Sequence, residues 1–325
     1  MSSLTTAPRP VAKSSQGSRI SRWLHVMPHP EPVIEFAAGH VAAARWDGAR
    51  LQSYAVEPLA AGALMPSPVD VNIAQPEGVR EVLRRVLSRV GDISGPVALL
   101  LPDPVVRVFI LPFEDLPRRA DDALPLLRWR LKKSVPFDVE ETAVSWSRQT
   151  ARHGALEVVA AVARQGIVRE YEGLVEAFGA QPTVVLSSTL ATLPLVSENG
   201  STLLLRMNGR TLTTAIVRGA TLCLYRSTEM PVTAAQLDPK WVLEEVFPAS
   251  AYYQDTWAES IDRVLLAGFQ ERQDLFAAAI ENELKMPARS LSASEVPTSL
   301  DRSAQDLMLQ HGLDPLVGWM ANAGA

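Results

Sequence analysis

Short apolar runs separated by turn signals open the patterned part of this chain. They cover residues 33–38, 41–46 and 51–56, and an Asp47-Gly48 pair separates the last two. Asp-Gly between two apolar runs is a strong hairpin signal, because both turn positions tolerate positive φ. The pattern therefore predicts a three-stranded meander.

A helix and a compact α+β unit are predicted next. The helix has one apolar stripe, in which apolar residues recur every three or four positions at Val79, Val82, Leu83, Val86, Leu87 and Val90. Beyond it, the pattern predicts strands at 97–101, 105–111, 156–162 and 183–186, and helices at 118–133 and 167–178. The first of these two helices ends before Val135-Pro136, because a residue that precedes proline avoids helical geometry.

A second meander then repeats the opening pattern. Its apolar runs cover 202–207, 212–217 and 222–226, with turns at Asn208-Gly209 and Arg218-Gly219. The remaining predicted elements are a short helix at 190–195, a helix at 241–257, a strand at 264–267, a helix at 274–284 and an apolar segment at 313–320. Two halves that each open with three strands and two turns predict a duplicated α/β architecture with a cleft between the halves.

Composition and charge narrow the class of protein. The 325 residues carry a formal net charge of −5 with both signs mixed, whereas binders of nucleic acid or anionic membranes usually have a concentrated basic face. No run of about eighteen apolar residues occurs, so we expect no membrane-spanning helix and no direct membrane insertion. Cys223 is the only cysteine and lies in an apolar run, which predicts a buried thiol.

The beginning of the chain lacks this apolar patterning. Residues 1–22 are rich in Ser, Thr, Pro and Arg and contain no apolar segment long enough for a signal peptide. We therefore expect residues 1–30 to be a disordered leader of a cytoplasmic protein. Any association with a membrane is then expected to come through a partner.

The central segment carries a family resemblance. Leu111-Pro112-Phe113, the helical run 126–133 around Trp129, and the run 135–141, which begins Val135-Pro136-Phe137 and ends with two glutamates, resemble the PilM proteins of type IV pilus assembly. A weaker similarity extends over 33–320. The resemblance implies an α/β fold of the actin-like type, a duplicated ribonuclease H-like fold with an inserted α+β subdomain. It divides the chain into the leader, a first subdomain at 31–96, the inserted subdomain at 97–187 and a second domain at 188–325.

The resemblance also implies a partner. PilM-like proteins lie on the cytosolic side of the inner membrane and grip the short tail of a bitopic membrane protein, PilN, near the junction of the first subdomain and the insert. Extended peptides bind where backbone hydrogen bonds and apolar pockets cooperate. The predicted contacts are Leu111, Phe113, Trp129, Val135 and Phe137. A pilus motor ATPase is a further expected partner, self-association stays open, and no nucleic acid is expected.

Two of these residues have a second interpretation. Trp129 can face the sheet as a core residue, which ordinary burial habits favour over a groove position. Phe137 follows Pro136 and is expected to staple the end of the helix while exposing one edge.

Nucleotide chemistry is expected to be degraded in this chain. Actin-like ATPases bring two hairpin loops against the phosphates, and these loops need glycines and usually an aspartate. In the first loop, Glu35 stands where the family has Asp, alanines replace the small polar residues, and Gly39 is the only flexible position. In the second loop, Arg206 stands at the carboxylate position, before Asn208 and Gly209.

The expected adenosine motif keeps a single glycine, Gly268, followed by Phe269, which is expected to fill the base pocket. An arginine cannot ligate magnesium, although it can pair with a phosphate, so weak metal-free binding of ATP stays open. We therefore expect no cofactor and a non-enzymatic pseudo-ATPase scaffold. The alternatives are an active ATPase that uses divergent loops at Glu35, Gly39, Asn208, Gly209 and Gly268, and a cytosolic protein of type II secretion.

Overall fold

The computed structural model describes residues 29–47, 50–91, 93–150, 154–196, 199–292 and 302–323. Most of the predicted leader and Gly48 of the predicted turn lie outside the described residues. The strands are β1 (Val33–Ala37), β2 (His40–Asp47), β3 (Arg50–Pro58), β4 (Gly95–Leu101), β5 (Arg107–Phe113), β6 (Thr142–Thr150), β7 (Leu156–Arg164), β8 (Ala180–Ser187), β9 (Ser201–Asn208), β10 (Thr211–Arg218), β11 (Thr221–Glu229), β12 (Arg263–Ala267) and β13 (Ala288–Ser290).

The helices agree with most of the predicted ones. They are α1 (Pro76–Val90), α2 (Ala120–Leu131), α3 (Gln165–Glu176), α4 (Ser188–Thr192), α5 (Pro239–Trp257), α6 (Gln273–Leu284), α7 (Arg302–Gln310) and α8 (Asp314–Ala323). The predicted stripe of α1 is buried at all six positions. Three elements were not predicted, namely β6, β13 and α7.

Two five-stranded sheets repeat the same topology. The first has the order β3-β2-β1-β4-β8 and the second the order β11-β10-β9-β12-β13. In each sheet the meander is antiparallel. Its first strand pairs in parallel with the next strand outward, which pairs in parallel with the last strand. Buried parallel strands read as continuous apolar runs, as Val97 to Leu101 does. The predicted duplication of the α/β pattern is therefore present.

A third, smaller sheet of order β5-β7-β6 forms the inserted unit. Helix α2 covers one face of this sheet, and the buried side chains between them form a separate core. The predicted insert, 97–187, included β4 and β8, but both strands are hydrogen-bonded into the first sheet. The insert is consequently confined to the segment between these two strands, because an apolar run alone does not reveal which sheet it joins.

The last helix closes the fold against the first half of the chain. Helix α8 packs on α4, and its apolar residues join the core that lies under the first sheet. The Trp319 ring stacks on the His29 ring with centroids 4.0 Å apart. Cys223 is 5% exposed, so the prediction of a buried thiol is confirmed. Among the described helices, none is long and apolar enough to cross a bilayer.

Close packing between α8 and α4 predicts a matched pair of glycine variants. A methyl group added at Gly318 would collide with the carbonyl oxygen of Ala191, whereas one added at Gly173, on the exposed side of α3, would contact nothing within 4 Å. We expect Gly318→Ala to lower the free energy of unfolding by about 1–3 kcal/mol through overpacking. Gly173→Ala should raise it by about 0.5–1 kcal/mol through helix propensity. Urea denaturation measures both, and equal shifts in the two variants would contradict the packing described.

Candidate functional site

The cleft between the two halves contains a buried arginine with three carboxylates around it. The side chain of Arg206 is 3% exposed, and its Nε lies 2.6 Å from Oδ2 of Asp314. Its Nη2 lies 3.3 Å from Oε1 of Glu35, and its Nη1 lies 3.4 Å from Oδ2 of Asp103. Each guanidinium nitrogen thus faces a different carboxylate. These four residues form the Arg206 cluster.

The residues of the cluster lie on or next to both five-stranded sheets and on helix α8. Glu35 lies in β1, and Asp103 follows β4 in a short 3-10 turn, so both belong to the first half. Arg206 lies in β9 of the second sheet, and Asp314 is the first residue of α8. The cluster therefore joins three parts of the fold that are far apart in sequence.

Glu35 and Arg206 occupy equivalent positions in the two halves. The β1–β2 hairpin closes with the Ala37–His40 pair, and the β9–β10 hairpin closes with the Asn208–Thr211 pair. Glu35 and Arg206 each lie two residues before the closing residue of their own strand. The duplication has thus placed opposite charges at matching sites, and these charges pair with each other across the cleft.

Helix α4 supports each carboxylate with a hydroxyl group. Ser188 Oγ donates to Glu35 Oε1 at 3.0 Å. Thr189 donates its backbone N–H and its hydroxyl to Asp103, at 2.9 and 2.7 Å. The remaining two hydroxyl donors are Thr192 to Asp314 at 2.7 Å and, from β11, Tyr225 to Asp103 at 3.1 Å. Buried charges are stable only when such partners satisfy them.

Burial and neighbouring charges shift the pKa values in opposite directions. Burial raises the pKa of Asp314, and the nearby Glu35 adds to this, although the Arg206 guanidinium opposes it. Burial also acts to raise the pKa of Glu35, but the His40 ring and Arg206 outweigh it, so that this pKa lies below 4.5. The pKa of Arg206 is raised because the three carboxylates outweigh its burial. Asp314 consequently holds a proton to a higher pH than a free aspartic acid, while Glu35 stays ionised.

The two hairpin turns at the positions of the phosphate loops of actin-like ATPases contact each other. A methyl group built on Gly209, at φ +59°, would lie 2.8 Å from Cβ of Ala38. Gly39 is exposed and has open space beside it, and His40 Nε2 lies 3.9 Å from Glu35 Oε2. The structure thus brings Glu35 next to Arg206, and Gly209 next to the first turn.

The predicted adenosine motif lies at the end of β12. A methyl group on Gly268 would collide with the carbonyl oxygen of Met207, so this glycine permits close packing against β9. Phe269 is fully buried, with its ring 4.6 Å from the ring of Phe276. Asn208 is half-buried at the turn of the second hairpin.

An actin-like fold implies a magnesium–nucleotide pair between the two hairpin turns, and these residues do not fit one. The carboxylates that could face a metal ion are bound to Arg206 and to hydroxyl groups. A guanidinium beside them repels a cation, and an alanine Cβ stands where a phosphate needs close approach to the backbone. The described residues at these turns therefore suit an internal ion cluster and not a magnesium–nucleotide pair.

Sequence reasoning found Glu35 and Arg206 but missed Asp103, Asp314 and the hydroxyl groups of α4. Asp103 stands between two prolines directly after the buried strand β4, and Asp314 stands before Pro315 in an apolar segment. A lone carboxylate in such surroundings is a signal of a buried partner, since an unpaired one is costly to bury.

The predicted partner contacts all lie on the inserted unit. Leu111 and Phe113 lie on β5, and Val135 and Phe137 follow α2; these four side chains are half-buried against the core of the insert. Trp129 is 73% exposed, so the interpretation that favoured core packing was wrong. The buried stripe of α2 runs through Ala123, Leu127 and Leu131, and Trp129 lies on the opposite face.

The opposite pKa shifts in the cluster predict a pH-dependent cost of Glu35→Gln. The lowered pKa of Glu35 means that its contribution to stability is present above pH 4.5 and is lost as the pH falls through the lower folded value. We expect Glu35→Gln to lower the free energy of unfolding by about 1–3 kcal/mol at neutral pH. This difference should shrink as the pH falls below 4.5.

Chemical denaturation at a series of pH values measures this cost. The control is Glu259→Gln, which removes one partner of the half-exposed ion pair with Arg218 and should cost at most about 1 kcal/mol. A cost of Glu35→Gln that does not change with pH would contradict the ionised state assigned to Glu35.

Comparisons with known proteins bear on the fold. No protein-family model matches the chain, and no curated protein matches it. The chain is similar to a chain of the PilM-PilN type IV pilus biogenesis complex, with a TM-score of 0.75 and 15% identity over 92% of this chain and 100% of that chain. It is also similar to a Bacteroides thetaiotaomicron protein with an actin-like ATPase fold, with a TM-score of 0.54 and 8% identity over 90% of this chain and 97% of that one. The protein therefore has an actin-like α/β fold, as the resemblance of its central segment implied.

Proposed function

We propose that this protein is a cytoplasmic scaffold of type IV pilus assembly, which binds the cytosolic tail of a bitopic, PilN-like protein of the inner membrane without hydrolysing ATP. The observation that carries the proposal is the similarity to a chain of the PilM-PilN complex over 92% of this chain and 100% of that chain. The PilM-like residues of the sequence lie on the inserted unit.

The surface of the insert supports a peptide partner. Within the described residues, β5 is hydrogen-bonded only to β7, although it also lies close to β11 of the second sheet. Its second edge thus has no strand hydrogen-bonded to it, and an unpaired edge is where an extended peptide can add as a strand. Its side chains alternate between two cores, with Leu111 and Phe113 facing the core of the insert and Val108 facing the main core. Trp129, on the helix that follows β5 in the chain, adds a large exposed ring. Tryptophans that become buried when a partner binds often contribute much of the binding energy.

The Arg206 cluster supports independence from nucleotide. Arg206 already pairs with the carboxylates that a metal would need, and the two turns contact each other. A scaffold that works without nucleotide has no need for an open phosphate site. The membrane partner then provides the attachment to the inner membrane.

A tail peptide tests the partner surface. The peptide is copied from the cytosolic tail of a PilN-like bitopic protein of the same organism, and isothermal titration measures its affinity. We expect Trp129→Ala to weaken binding by at least about tenfold, since the truncation of an interface tryptophan commonly costs more than 1 kcal/mol. The matched control is Trp241→Ala, which removes a 40% exposed tryptophan on α5. An equal loss in both variants, or no peptide binding at all, would contradict the proposed surface.

Nucleotide is tested on the same preparation. We expect no measurable heat when ATP and magnesium are titrated into the protein, while the tail peptide titrated into the same sample shows that the fold is competent. Magnesium-dependent binding of ATP at micromolar concentration, without peptide binding, would instead put the active ATPase first.

A further inference from the structure

The Arg206 cluster does more than block a site, because it bridges the two halves of the molecule. Glu35 and Asp103 come from the first half and Arg206 from the second. We propose that this guanidinium is a built-in replacement for a ligand: it fixes the two halves in one closed orientation permanently. This inference concerns the cleft itself and does not rest on the proposed pilus partner.

The geometry of the guanidinium explains why arginine suits this task. It is planar and presents its donors in fixed directions. Three carboxylates that bind it are therefore held in fixed positions relative to one another. Its three nitrogens lie between 2.6 and 3.4 Å from carboxylate oxygens of β1, the turn after β4, and α8. A relative rotation of the halves would break these contacts together.

The cost of breaking them explains why the arrangement is fixed. A buried ion pair contributes little net stability when it is formed, but removal of one partner leaves a buried charge without compensation. An opened cleft would leave three carboxylates facing one another without Arg206. The closed orientation is therefore the one in which every charge of the cluster has a partner.

Other contacts across the halves agree with the same orientation. The side-chain amide of Gln149, in the insert, exchanges hydrogen bonds with the backbone of Leu222 at 2.8 and 3.1 Å. The Tyr225 hydroxyl of the second half lies 3.2 Å from Ser187 Oγ of the first. A ligand can shift a conformational equilibrium only if it binds the two states differently. In this cleft the arginine is tethered, so the closed state is populated without any ligand.

The test measures the orientation of the halves in solution. Spin labels are placed on cysteines introduced at two exposed positions, Ser88→Cys on α1 and Ala251→Cys on α5, in a Cys223→Ala background. Pulsed electron spin resonance then gives the distribution of distances between the halves. With Arg206 intact, we expect one narrow distribution that ATP and magnesium do not change.

The variant Arg206→Ala should broaden this distribution and lower the melting temperature by about 5–10 °C. Millimolar guanidinium should narrow it again by entering the vacated position, while the same concentration of sodium chloride should not. The matched control is Arg218→Ala, which breaks the half-exposed pair with Glu259 and should leave the distribution narrow.

Two further variants keep the test decisive if Arg206→Ala does not fold. Glu35→Gln and Asp103→Asn each weaken one bond across the cleft, and each should broaden the distribution more than Arg218→Ala does. The inference is overturned if the distribution stays narrow in Arg206→Ala, or in both of these variants. It is also overturned if ATP and magnesium change the distribution while Arg206 is intact.

Discussion

A charge that is buried in a protein must be matched where it lies, and this requirement organises the centre of the molecule. The guanidinium of Arg206 has three carboxylates around it, and each of these accepts a hydrogen bond from a hydroxyl group of α4. The position of α4 between the halves, the contact between the two hairpin turns and the start of α8 beside the cleft all serve the same cluster. A change at one member leaves the others with unmatched charge.

The duplicated fold places the two oppositely charged side chains at equivalent positions. Two halves with the same strand order present matching hairpins to one cleft, and the matching positions in this chain carry a glutamate and an arginine. Two carboxylates at these positions would repel each other and require a cation between them. A carboxylate and a guanidinium attract each other directly. The side chain at position 206 therefore sets the sign of the interaction between the two hairpins.

Much of the fold followed from local pattern, and the rest depended on contacts that no local pattern records. Both meanders and the stripe of α1 were predictable, because turn residues and apolar spacing act over a few positions. The sheet membership of β4 and β8 was not, because it depends on pairing between distant strands. The exposed position of Trp129 could have been predicted from the four-residue spacing of Ala123, Leu127 and Leu131. Asp103 and Asp314 join Arg206 over more than a hundred residues, so only their isolation among apolar neighbours pointed to them.

The place of Asp314 in the chain has a consequence for the order of folding. This carboxylate lies 108 residues after Arg206, and it is the one that approaches the guanidinium most closely. During synthesis, all strands of both sheets are made before Asp314 is. Domains generally begin to fold from the N-terminal end while the chain is being made. The two halves can therefore dock early, but the cluster is completed only when α8 arrives. Formation of the cluster is thereby coupled to the docking of α8.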